Sequence, residues 1–146
     1  MPNWCSNRLN ISGTDDKEVA RFKKQAKSKD SPLSLDNFVP LPEELKGGRS
    51  PVNIVSKKEY EVARIKKRLA ELKRKLSKSK ATFDFIDSLP ITAEMQKDFK
   101  KRFGVDNWYD WQINNWGTKW DCNNAELVTD DETYLEYNFE SPWAPP

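Results

Sequence analysis

Asp106, Asp110 and Asp121 bracket four tryptophans in the run DNWYDWQINNWGTKWD, and carboxylates spaced this way could share a magnesium ion or divide acid and base duties. The competing roles are local. Asp106 would cap a helix, Asp110 would sit in its favourable first turn and Asp121 would serve a turn. The local roles are the expectation, because the rest of the catalytic vocabulary is missing. The chain has no histidine, the commonest general base and metal ligand. Cys5 and Cys122 lie far apart and show no metal or redox spacing. They read as free, inert thiols in a reducing cytosol, with a single disulfide as the alternative. Gly47-Gly48 has neither the Walker nor the dinucleotide spacing. The expectation is a non-catalytic protein with no metal and no cofactor.

Charge offers a different chemistry. Between Lys57 and Lys80 eleven Lys/Arg stand against three Glu, a net of +8. From Val105 onward Lys119 alone opposes nine acidic residues, a net of −8, and the whole chain carries only +2. Such asymmetry points to mutual contact or to a polyanionic partner for the basic part. Arg64, Lys67, Arg68, Lys73, Arg74 and Lys75 are the candidates for charged contacts. Ile65, Leu69, Leu72 and Leu76 form an apolar seam beside them. Phosphate-backbone contact is one reading of this segment, with strong salt dependence as its mark. A host protein or nucleoprotein complex completing the seam is another, and a homodimer through the seam is a third. The bland reading is a solvated helix packed as a hairpin on the next one. Seam geometry favours a protein contact and net charge favours nucleic acid, with the balance slightly toward protein.

The tryptophans could stack bases, but their acidic flanks repel a phosphate backbone. Trp108, Trp111, Trp116 and Trp120 are therefore assigned to the core, where aromatics bury the most surface. Lys119 and Arg8 are candidate cation–π partners.

The elements that must position these residues follow from periodicity. Arg8 to Ser12 alternates, with Leu9 and Ile11 on one face, and predicts a strand. Asp15 and Glu18 start a helix carrying Val19, Phe22 and Ala26 and ending near Ser28. Leu33 and Leu35 alternate again as a second strand, parallel to the first through a right-handed crossover if the two pair. Lys46 to Pro51 reads as a flexible hinge. Ser56 and Glu59 form a capping box, and Val62, Ile65, Leu69, Leu72 and Leu76 recur at spacings of 3, 4, 3 and 4, an a/d seam. Thr82 to Leu89 fits helix or strand. Thr92 caps a helix with Met95, Phe99 and Phe103, closed by Gly104. Asp106 or Asn107 caps the tryptophan helix and Gly117 ends it. Ala125 to Thr129 and Thr133 to Glu140 are strands, the second placing Leu135, Tyr137 and Phe139 on one face. Ser141 to Pro146 should fall outside the sheet, since proline lacks a donor.

The organisation expected is one domain over residues 1–146, with a sheet body at 1–45 and 105–146 and a helical insertion at about 50–104. No apolar run approaches the ~20 residues of a membrane span and no leader is visible, so a cytoplasmic protein without membrane contact is expected.

Met1 to Leu9 (MPNWCSNRL), Pro40 to Leu45, Asn107 to Trp111, Asn115 to Asp121 and the closing Phe139 to Pro146 together resemble the YubB-type ferredoxin-like proteins of phages, prophages and plasmids. The resemblance implies an α+β fold, a ferredoxin-like antiparallel or mixed sheet packed on helices, and a mobile-element origin. It implies no reaction. The stretch from Gly47 to Lys80 lies outside the shared pattern and reads as an inserted basic helical arm. Relatives commonly continue past the Trp-Ser/Ala-Pro-Pro segment into another helix and strands. This chain stops at Pro146, which implies a short variant or the loss of a final αβ unit. The function expected from origin and charge together is an accessory protein that binds a host macromolecule, such as a defence complex, and inhibits it. A nucleic-acid-binding module is the alternative, and a carboxylate or metal enzyme the distant third.

Overall fold

The computed structural model describes residues 3–48, 50–77, 88–143 and 145–146, with backbone alone at 74, 76 and 77. In chain order the elements are β1 (Trp4–Ser12), α1 (Asp16–Ala26), a 3₁₀ turn (Leu35–Asn37), β2 (Ile54–Val55), α2 (Lys57–Ser77), β3 (Ile91–Thr92), α3 (Ala93–Phe103), α4 (Trp108–Trp116), β4 (Asn123–Asp130) and β5 (Tyr134–Pro142). The fold is mixed α+β. The chain divides into two compact units, Met1–Leu41 with Gln112–Pro146, and Pro42–Trp111.

The first unit is a three-stranded antiparallel sheet in the order β1-β5-β4. Leu135, Tyr137 and Phe139 alternate along central β5 and are buried, so the period-2 pattern reports the core face correctly. Register places Leu9 opposite Tyr137 and Ile11 opposite Leu135 on that face. Val19 and Ala26 of α1 and Leu33 complete the cluster, with Phe22, Phe38, Ala125 and Leu127 packed around it. Helix α1 begins where expected: the Asp15 carboxylate accepts from the Lys17 N–H at 2.9 Å. Asp16 and Glu18 in the first turn and Lys23 and Lys24 in the last complement its dipole.

Two strand expectations need correction. Leu33 and Leu35 form no strand, and β1 pairs with β5 instead. Leu33 joins the core with Ser34 buried beside it, while Leu35 is only half-buried. The backbone beside it is satisfied without a ladder, since Ser34 N–H donates to Ala26 O at 2.9 Å and Leu35 N–H to the Asp121 carboxylate at 2.6 Å. Conversely, Ser141 and Pro142 do belong to the sheet, opposite Cys5 and Trp4. Trp143 N–H donates to Asn3 O at 2.8 Å, so by the alternation of antiparallel pairs Pro142 occupies a non-bonded position toward β1. Its missing N–H points to the other side, beyond the first paired residue of β4, Asn123. Proline costs no ladder bond there.

In the second unit β2 and β3 make a short parallel ladder, Ile54 with Ile91 and Val55 with Thr92. Gly48 bridges Leu89 in the same sense. The expected flexible hinge is therefore partly paired, and Leu89 is extended; residues 82–87 of the ambiguous segment lie outside the described residues. The capping box forms as read: Ser56 N–H donates to the Glu59 carboxylate at 2.9 Å, and Glu59 N–H to Ser56 Oγ at 3.3 Å. Thr92 Oγ1 accepts from Met95 N–H at 3.2 Å, and Gly104, at φ 77°, closes α3 in the left-handed conformation glycine tolerates. Among the described residues of this unit, Leu45, Ile91, Phe99 and Trp111 are the buried apolar ones.

Candidate functional site on helix α2

Helix α2 has two unlike stripes. Tyr60, Ala63, Lys67 and Ala70 are partly buried, at spacings of 3, 4 and 3. Val62, Ile65, Leu69 and Leu72 are exposed to 45%, 55%, 52% and 50%. At ~100° per residue the two stripes are centred roughly 160° apart. The helix thus turns its small residues inward and leaves its branched aliphatics in water. The stripe turned inward is therefore not the seam read from sequence. The Leu76 side chain lies outside the described residues.

Taking Val62 and Leu69 as a, and Ile65 and Leu72 as d, the positions bordering the seam are Lys66 and Lys73 on one side and Glu61, Arg68 and Lys75 on the other. Glu61 is already held by Arg64 at 2.9 Å. Lys66, Arg68, Lys73 and Lys75 are exposed, and none has an ion-pair partner among the described residues. Of the cations named from sequence, Arg68, Lys73 and Lys75 border the seam. Arg64 is spent on Glu61, and Lys67 lies on the partly buried stripe. The Arg74 side chain is outside the described residues. Sequence reasoning missed Lys66, which heptad lettering alone would have found. A shallow hollow of about 370 Å³ runs between Lys58, Glu59, Val62, Ala63 and Lys66.

The carboxylates beside the tryptophans are consumed by local structure. Asn107, not Asp106, caps α4, accepting from Asp110 N–H at 2.9 Å, and its amide donates to Asp110 at 2.8 Å and to Asp106 at 3.0 Å. Burial pushes the Asp106 carboxyl up, but hydrogen bonds from Asn107, Gln96 and Lys100 outweigh it and hold the group below the ordinary range. Asp121 accepts from Ser34 Oγ at 2.5 Å, Leu35 N–H at 2.6 Å and Cys122 N–H at 2.7 Å. It thereby caps the 3₁₀ turn from 86 residues away. No cluster of three or more metal-ligating side chains occurs among the described residues. Both cysteines are free, and burial, then Asp121, pushes the Cys122 thiol up to about 12.

The four tryptophans do not act alike. Trp111 and Trp116 are buried, and the Trp116 indole donates to Val39 O at 2.8 Å. Trp108 is half-buried, edge-on to Tyr109. Trp120, assigned to the core from sequence, is instead exposed: α4 ends at Trp116 and Gly117, at φ 73°, so Trp120 does not continue the helix's inward stripe. Lys119 does lie over an indole, 4.5 Å from the Trp120 centroid, whereas Arg8 pairs with Glu136 at 3.2 Å.

No helix among the described residues is long and apolar enough to cross a membrane. Compared with protein-family models, with curated proteins and with solved structures, the chain matches none.

Proposed function

We propose that this chain is a non-catalytic binding protein that docks a protein partner along the open stripe of α2. The observation that carries the reading is the row of half-exposed Val62, Ile65, Leu69 and Leu72. Single exposed aliphatics are ordinary, but four in line on one helix are an interface pattern. Covering their exposed halves is worth about 3–6 kcal/mol before ordering costs.

Charge selects the partner. Four cations with no ion-pair partner among the described residues border the stripe, so a second copy of α2 would bring like charges together at most flanking positions. A helix with an apolar stripe and carboxylate borders meets both demands. Naked nucleic acid meets only the charge and leaves the aliphatics wet. The resemblance to YubB-type proteins adds a mobile-element origin to the proposal, and with it a host macromolecule as the natural target.

The test uses a synthetic helix with Ile and Leu at a and d and Glu at e and g. It should bind the full chain with micromolar affinity. Ile65→Ser with Leu69→Ser should weaken binding at least about tenfold, while Tm stays within a few degrees. Reversing Lys66, Arg68, Lys73 and Lys75 to Glu should abolish it. Binding that survives both variants rules out α2 as the interface. Tighter, steeply salt-dependent binding to duplex DNA or RNA would move the reading to phosphate recognition.

A further inference from the structure

Three stretches distinguished in the sequence and unused by α2 come together in the first unit: the N-terminal Asn3-Trp4-Cys5, the Gly117-Thr118-Lys119-Trp120 turn and the closing Pro142-Trp143. Trp4 and Trp120 pack with centroids 6.0 Å apart, and Lys119 Nζ lies 4.5 Å over Trp120 and 5.3 Å from the Trp143 centroid. Thr118 Oγ1 donates to Pro142 O at 3.3 Å and Trp143 N–H to Asn3 O, which ties the three stretches together. Yet all three indoles remain exposed, Trp4 to 43%, Trp120 to 38% and Trp143 to 50%. A cluster assembled only for stability would bury its rings.

Strand β1 leads from Trp4 to a polar trough. Strand alternation puts Trp4, Ser6 and Arg8 on the face of the sheet opposite the core, and register sets Ser6 beside Glu140 and Arg8 beside Asn138. Ser6, Arg8, Asn138 and Glu140, with Asn7, Phe139 and Asn124, line an open hollow of about 460 Å³, within the range of ligand sites. Trp4 lies two residues, roughly 7 Å, from the trough along β1. Asn124, which donates to Glu140 at 2.7 Å, and Trp143 are, among the described residues, the two non-glycines held at positive φ, 47° and 70°. Such conformations are costly for a bulky residue and concentrate at functional sites.

We infer that this face binds a neutral carbohydrate, one sugar ring stacking on the exposed indoles and a neighbouring ring reaching the trough. A pyranose offers an apolar C–H face and a rim of hydroxyls that each donate and accept. Indoles suit the face. Asn124, Asn138 and Ser6 donate and accept as hydroxyls do, Glu140 accepts and Arg8 donates. Charge argues against the other planar ligand, a nucleobase strand. Arg8 is paired with Glu136, Lys119 lies against the rings, and Glu140 adds a negative charge, so a phosphate backbone finds no net cationic path.

The experiment is a screen of the intact protein on an array of neutral glycans, followed by tryptophan-fluorescence titration of the best hit. Saturable binding is expected, little changed between about 50 and 500 mM salt, since no counterions are released. Trp120→Ala and Asn138→Ala should each weaken it about five- to tenfold without changing the circular dichroism spectrum, and Trp120→Phe should retain most of it. The Ile65→Ser, Leu69→Ser protein should bind the glycan as wild type does, which separates this site from α2. Absence of binding across the array, binding unaffected by Trp120→Ala, or preference for a single-stranded oligonucleotide with steep salt dependence would each overturn the assignment.

Discussion

Asp121 and Cys122, adjacent in sequence, show how single residues here serve structure. The Asp121 carboxylate receives three donors, two of them from Ser34 and Leu35. Asp121→Ala leaves those groups unpaired, and loss of about 2–4 kcal/mol is expected, readable as a lower urea midpoint. From sequence Asp121 was legible as a turn residue. Its distant partners were not, because nothing in local spacing encodes an 86-residue separation. Cys122 carries a pH signature. Its thiol stands at about 12 in the folded chain against an ordinary 9.0. Burial, then Asp121, disfavours the thiolate, so the folded state keeps a proton that the unfolded chain gives up. The associated stability is fully present below pH 9 and is lost as pH climbs toward 12. At pH 8 Cys122 should label with a thiol reagent at least about tenfold more slowly than an unperturbed thiol, with native mass spectrometry as the measurement. Rapid modification of Cys122 in the folded protein would contradict its burial.

At the scale of elements, caps and periods were readable and pairings were not. The Ser56–Glu59 box, the Thr92 cap and the glycine stops at Gly104 and Gly117 all form, because each depends on backbone donors within four residues. Ser56→Ala should cost about 1 kcal/mol and lower helical ellipticity, an effect confined to the second unit. Gly117→Ala should cost more, about 1–3 kcal/mol by urea denaturation. The left-handed φ penalises any side chain, and a Cβ would come within 3.3 Å of Pro146 backbone. Alternation at Leu33 and Leu35 misled for the opposite reason. Period-2 spacing suggests an alternating strand, but here Leu33 and Ser34 are both buried, and whether a neighbouring strand exists is decided elsewhere in the chain. Pro142 failed similarly, since the rule against proline in sheets holds only where its N–H would face a partner. For α2 the seam itself was visible from its 3,4 spacing. Which stripe turns inward depends on packing, and there Ala63 and Ala70 permit a close approach that Leu69 and Leu72 do not.

Across the whole molecule burial is uneven, and that unevenness fixes where the chain should open first. Central β5 is bonded on both sides and carries Leu135, Tyr137 and Phe139 into the core, so exposing its amides requires dismantling the sheet. The middle of α2 holds its hydrogen bonds locally and shows half of each aliphatic to water, so one turn can unwind at little loss of buried surface. Hydrogen exchange by mass spectrometry should therefore find amides of residues 62–72 exchanging on the order of 10²-fold or more faster than those of residues 135–139. The same contrast tests the functional proposal. A partner helix laid on the stripe would bury Ile65 and Leu69 and make unwinding costly, so its addition should slow exchange over residues 62–72 while leaving β5 unchanged. A glycan on the open face should leave α2 as it was. If α2 is already as protected as β5 in the free protein, its stripe is stabilised by something other than an absent partner, and the docking role assigned to it fails.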